Sequence, residues 1–111
     1  MVEKKYEQVI KDCKKRIAAN PRDFFAYYQL ARALEMSGET DRAIRVHQNL
    51  ADRRDLDAAQ REHAVFELGQ DFLRAGLLDR AEDAFNRLEG SRYSAPALRH
   101  RLALAQCRGR I

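Results

Sequence analysis

Residues 41–50, DRAIRVHQNL, and residues 79–88, DRAEDAFNRL, share Asp-Arg-Ala at their start and Leu at their end, 38 positions apart. Carrying the same offset upstream lays Tyr27, Leu30, Ala31, Leu34 and Gly38 on Val65, Leu68, Gly69, Phe72 and Gly76. Within the quoted stretches Ala43, His47 and Leu50 fall on Ala81, Phe85 and Leu88. The eight pairs agree in size and character, and three of them are small residues where helices approach closely. Self-similarity at this period is the mark of a helix-turn-helix unit that buries its apolar face only by stacking on a neighbour.

Working outward, apolar residues recur at helical spacing nearly everywhere, and no alternating run is long enough for a buried strand. The pattern predicts an all-α chain of six helices. The first covers about 3–19, with Tyr6, Val9, Ile10, Cys13 and Ile17 on one stripe, and ends at Asn20-Pro21, since proline disfavours helix in the residue before it. Asp23 caps a second helix that runs to Met36 and stops at Ser37-Gly38. A third covers about 40–52, followed by a polar connection from Asp52 to Leu56. Asp57 with Gln60 reads as a capping box for a fourth, which reaches Arg74 before Ala75-Gly76. A fifth covers about 78–89 and ends at Gly90; Ser94 before Ala95-Pro96 opens a sixth that frays near Gly109.

The series of large residue, Leu with a small neighbour, turn glycine, Ala and ring resembles the tetratricopeptide repeat (TPR). That family's period is about 34, so the four extra residues belong to the 52–57 connection. The resemblance implies a right-handed, antiparallel TPR-like solenoid forming one domain over residues 1–111. In that reading residues 1–20 are the second helix of a preceding half-repeat, 21–52 and 57–90 two full repeats, and 94–108 the terminal helix. From Gly38 to about Leu98, the stretches SGETDRAIRVHQNL and AQREHAVFELGQDFLRAGLLDRAEDAFNRL resemble the repeat region of the lipopolysaccharide-assembly adaptors. Those are inner-membrane proteins that link a membrane protease to the deacetylase committing lipid A synthesis. Their N-terminal membrane helix and C-terminal zinc module have no counterpart in this sequence, so neither anchoring nor metal binding carries over. Arg101 falls where the third-repeat pattern wants leucine, which predicts a polar outer face suited to a terminal cap.

Composition agrees with one folded domain. With 111 residues the chain can bury roughly two-thirds of its unfolded surface, and 45% hydrophobic with 34% charged residues argues against disorder. No stretch approaches the ~20 apolar residues of a membrane crossing, and the opening MVEKKYEQVI has no apolar signal core. Cys13 and Cys107 lie near opposite ends without metal-ligand spacing; the reading is two free thiols in a reducing cytoplasm, with a disulfide between them left open. Net charge is +4, and residues 1–20 carry six Lys/Arg against three acids, a solvated face rather than a nucleic-acid platform. All five lysines lie within the first fifteen residues, and the sixteen arginines begin at Arg16.

Catalysis has little support. His47, His63 and His100 lie on three different helices, with no serine or cysteine spaced to join a histidine and an acid. His47 reads as a packed imidazole in a ring position. Glu35 with Asp41, and Glu82 with Asp83, read as solvated faces. The five glycines stand singly and form no phosphate loop. We therefore expect no enzyme, no cofactor and no metal site.

In the repeat's geometry the first helix of each pair lines a concave groove. This assigns Phe25, Tyr28, Arg32, Glu35 and Met36, then His63, Phe66, Gln70, Leu73 and Arg74, as a candidate peptide groove in which guanidinium forks meet carboxylates and rings bury apolar side chains. The rival reading has Phe25 and Phe66 covered by loops or a neighbouring helix. The expected partner is a peptide or protein segment; nucleic acid and membrane insertion are not expected, and the chain is expected to be a monomer or weak dimer. The lysine-to-arginine break, the absent family parts and the polar last helix favour an engineered or chimeric scaffold. The alternative is a natural interaction fragment of a lipopolysaccharide-assembly-type adaptor.

Overall fold

A computed structural model describes the backbone of residues 2–109 and the side chains of residues 5–106. Among them every regular element is helical: α1 (Val2–Ala19), α2 (Phe24–Met36), α3 (Thr40–Asp52), α4 (Ala58–Arg74), α5 (Leu78–Asn86) and α6 (Ser94–Gly109). The expected all-α, TPR-like array of six helices is what forms. Only α5 stops clearly early, at Asn86 instead of 89, because Arg87, Leu88 and Glu89 tighten into turns bonded three residues back.

The caps that set the boundaries are those the sequence advertises. The Asp23 carboxylate accepts from the Ala26 N–H at 3.0 Å, and Asp57 and Gln60 close a reciprocal capping box at 2.8 and 3.3 Å. Gly38 and Gly76 end α2 and α4 at φ +85° and +76°. In both, the glycine N–H bonds to the carbonyl two residues inside the helix end, and the next N–H reaches one residue deeper, as Glu39 does to Leu34. A left-handed φ of this kind is open to glycine without strain.

Each helix packs chiefly on its neighbours in sequence, and the thinnest extent of 17 Å accommodates two helix layers about 8–10 Å apart. One core cluster joins α1, α2 and α3 through Ile10, Cys13, Leu30, Leu34 and Ala43. A larger one runs from α3 to α6 and is centred on Leu68, Phe72, Phe85 and Leu88. Leu56, read from sequence as part of a polar connection, is buried in it at 5% exposure.

The 38-residue offset is preserved in packing, with one compensated difference. A Cβ on Gly69 would stand 2.5 Å from Cε1 of Phe85, so the phenyl ring requires a bare backbone opposite it. In the first unit the corresponding positions hold Ala31 and His47, both buried.

The expected polar outer face of α6 is not observed. The helix turns Ala97, Leu104 and His100 toward α5, which leaves Leu98 and Leu102 outward at 50% and 55% exposure and Arg101 only partly exposed. Cys13 is a free, buried thiol whose pKa burial raises; Cys107 lies outside the described side chains, and with it any pairing of the two. Among the described residues no helix is long and apolar enough to cross a membrane.

Candidate functional site

The ten groove residues named from sequence divide into three environments. Phe25, Tyr28, Arg32 and Met36 form an open patch on α2. Phe25 and Met36 are each 58% exposed, and Phe25 stacks on Tyr28 with centroids 6.5 Å apart. Beside them lies an open pocket of about 210 Å³ lined by Tyr6 and Val9 of α1 and by Tyr28, Gln29, Arg32, Ala33 and Met36 of α2. Two bonds from Arg16 fix the angle between these helices, one to Gln29 at 2.8 Å and one to Asp23 at 3.1 Å. The pocket walls are mostly apolar, with the Arg32 guanidinium as the one cation among the described lining residues. Tyr6 and Val9 were read from sequence only as core stripe; their α1 positions give them a second use here.

His63, Phe66, Gln70 and Leu73 are half-buried along α4 instead of lying open. Phe66 stacks on Tyr93 at 5.1 Å and meets Phe85 and His100 at 6.0 and 5.7 Å. For Phe66, then, covering by a neighbouring helix holds; for Phe25 it does not. His63 is ringed by Tyr28, Phe24 and Tyr93, and burial lowers its pKa against the opposing pull of Glu67. Gln70 reaches His100 at 3.5 Å, and Leu73 packs on the larger core.

Glu35 and Arg74 belong to a buried polar cluster that the sequence did not announce. His47 Nδ1 of α3 lies 2.5 Å from Asp71 Oδ2 of α4 and 3.9 Å from Glu35 Oε1 of α2. Arg74 donates to Asp71 at 2.8 Å and stands 3.7 Å from Glu35. The Asp71 side chain is fully buried and the Glu35 side chain is 8% exposed. Burial and the facing Asp71 carboxylate push Glu35 up to about 7, outweighing the lowering by His47 and Arg74. The Glu35 carboxyl is thus held toward its protonated form, facing Asp71. Its side chain is 8% exposed, which corrects the expectation that it lies on a solvated face.

Glu35, His47 and Asp71 each offer a metal-ligand atom within 4.8 Å of the others. The Arg74 guanidinium already sits against both carboxylates, however, and supplies the positive charge that an ion would bring. No hydroxyl or thiol nucleophile belongs to the cluster. Its geometry ties α2, α3 and α4 together beneath the open patch. One signal for it exists in the sequence: Asp71 falls 38 residues after the buried Ala33, just as His47 falls where the second unit has Phe85.

Comparison with known proteins agrees with this architecture. The tetratricopeptide repeat family model matches residues 13–45, from the middle of α1 into α3. Lipopolysaccharide assembly protein B of Escherichia coli K12 is 48% identical over 63 residues, 57% of this chain and 16% of the relative. The proteins of the same name in strains O6:H1 and O157:H7 match to the same extent. The chain thus spans about a sixth of the length of these curated relatives.

Proposed function

We propose that this helical protein-interaction scaffold is a non-enzymatic module that binds an extended peptide segment across α2, with the α1–α2 pocket as its anchor. The pocket carries the reading: Tyr6, Val9, Tyr28 and Met36 surround a space suited to one apolar side chain, and Arg32 stands at its edge to pair with a carboxylate. Phe25 extends the surface toward the start of α2, while the α4 positions support it from below through Tyr28 and His63. This reading centres the groove assigned from sequence on its α2 half.

In this reading residues 1–111 act as one repeat unit array, with 21–52 and 57–90 as its full repeats. The likeness to lipopolysaccharide assembly protein B favours a protein of that assembly process as partner, and the free Cys13 thiol favours a reducing, cytoplasmic setting. A second reading, an engineered or chimeric chain with a fold and no ligand of its own, is favoured by the confinement of every lysine to the first fifteen residues.

Titration with a library of short peptides, followed on backbone amide signals, separates the two. A peptide ending in an apolar residue with a free carboxylate is expected to bind at micromolar strength, to shift the signals of Val9, Tyr28, Arg32 and Met36, and to weaken with salt. Arg32→Gln removes the binding without altering the melt. The absence of any saturable shift leaves the ligand-free scaffold as the answer.

A further inference from the structure

We infer that, on the peptide reading proposed above, Glu67 with the rings of His63, Tyr28 and Tyr93 forms a second subsite, which takes a cationic side chain of the bound peptide, arginine before lysine. Glu67 and His63 stand one turn apart on α4, with side chains 18% and 27% exposed. The Glu67 carboxylate has one ion-pair partner among the described residues, His63 Nε2 at 3.8 Å, which is beyond hydrogen-bond reach. That ring is a poor counter-charge, because burial lowers its pKa against the pull of Glu67 and His47 adds to the lowering. A largely buried carboxylate without a cation favours a ligand that brings one. Rings wall the same place: Tyr28 of α2 meets His63 at 5.3 Å, and Tyr93, in the turn before α6, meets it at 6.1 Å. Burial raises the Tyr93 pKa, Arg92 opposes the rise, and Glu67, Glu62 and Tyr28 add to it, so this phenol shares the electrostatic surroundings of Glu67.

The first unit shows how such a pair is completed. At the 38-residue offset His63 and Glu67 correspond to Phe25 and Gln29. The Arg16 guanidinium lies 5.9 Å from the centre of the Phe25 ring and donates to Gln29 Oε1 at 2.8 Å. The second unit keeps the ring and the acceptor and exchanges the amide for a full negative charge. Among the described residues, however, no guanidinium lies over His63 or bonds Glu67. Arg74, two turns further along α4, is held by Asp71 and Glu35. A guanidinium from a ligand meets both requirements, since it stacks on ring faces and forks onto a carboxylate, which a lysine ammonium does less well. With Arg32 set for a carboxylate and Glu67 for a cation, the charges of the peptide fix its direction across α2 and α4.

The test walks arginine, lysine, glutamine and glutamate through the positions before the apolar C-terminal residue of one peptide, and follows binding on the amide and ring signals of the full chain. At one position arginine is expected to bind about tenfold tighter than glutamine, with lysine between them and glutamate weakest, and to shift His63 and Tyr93 as well as Arg32 and Met36. Glu67→Gln makes the arginine and glutamine peptides bind alike, and Glu67→Asp restores part of the difference. Acetyl-arginine amide, which has no carboxylate for Arg32, probes the subsite by itself in the natural chain; it is expected to shift His63 and Tyr93 saturably, and acetyl-glutamine amide to leave them in place. Peptides that shift Val9, Arg32 and Met36 with no preference for arginine at any position overturn the cation subsite and leave the peptide reading standing. Saturable shifts by the arginine amide in a chain that binds none of the peptides uphold cation recognition at Glu67 and remove the peptide reading. An arginine preference that survives Glu67→Gln, or no shift from either the arginine peptides or the arginine amide, also overturns the subsite.

Discussion

Replacing Glu35 by glutamine should make the protein more stable in mild alkali and leave it little changed in mild acid. The folded chain holds this carboxyl up to about 7, against the ordinary 4.5 of an unfolded chain. Below about pH 4.5 both states carry the proton and nothing is lost. Between 4.5 and about 7 the unfolded chain releases it while the folded chain keeps it, so stability falls as pH rises. Above 7 the loss is complete and amounts to about 3 kcal/mol, at about 1.4 kcal/mol per tenfold change in proton affinity. Solvent screening discounts this little, since the side chain is 8% exposed. Glutamine keeps the shape and can still donate to Asp71, but it never ionises. Urea unfolding followed by circular dichroism at several pH values, for the natural chain, Glu35→Gln and the exposed control Glu89→Gln, measures the difference. The Glu35→Gln advantage should grow by about 3 kcal/mol from about pH 4.5 to about pH 8, while the control stays parallel to the natural chain. Parallel curves for Glu35→Gln, or a variant that loses stability in alkali, would show that His47 and Arg74 already neutralise an ionised Glu35 and that the cluster is organised differently.

Three further outcomes are expected from thermal or urea melts. His47→Leu should cost roughly 1–3 kcal/mol, because it strips the fully buried Asp71 of its closest hydrogen-bond partner. Gly69→Ala should destabilise by roughly 1–2 kcal/mol despite its better helix propensity, since the new methyl group meets the Phe85 ring, and Phe85→Leu in the same chain should recover part of the loss. Leucine at Ala43 or Ala81, both fully buried, should cost roughly 1–3 kcal/mol by overpacking; unchanged melts for both would show that the two small positions are not close helix contacts.

What the sequence made legible follows from where its information is local. Helix ends were readable because Asp23, Asp57, Gly38 and Gly76 act within a few residues of themselves, through caps and a left-handed φ that need no knowledge of the rest of the chain. The repeat was readable because the same eight environments are built twice. Of the candidate groove positions, those on α2 are the more exposed and those on α4 are mostly half-buried. Phe25 and Met36 stay mostly exposed on α2, with the Arg16 guanidinium of α1 over the Phe25 ring, but whether Phe66 does so depends on Tyr93, in the turn before α6, and His100, on α6, whose register no second copy fixed. The same missing register misplaced the outer face of α6, where Arg101 drew attention and the exposed leucines on either side of the turn did not.

The buried cluster stayed hidden for a related reason. Glu35, Asp71 and Arg74 each look like ordinary polar positions on an amphipathic helix, and only the superposition of the two units exposes them. Where the second unit pairs Phe85 with a bare Gly69, the first has His47 and Ala31 at the corresponding positions, and a buried imidazole requires a polar partner that a phenyl ring does not. That partner is Asp71, at a position where the first unit has Ala33, and Asp71 in turn brings Arg74 and raises Glu35. One departure from the repeat at residue 47 thus accounts for four polar side chains in three helices. A repeat's exceptions, read in pairs, carry the information that its agreements do not.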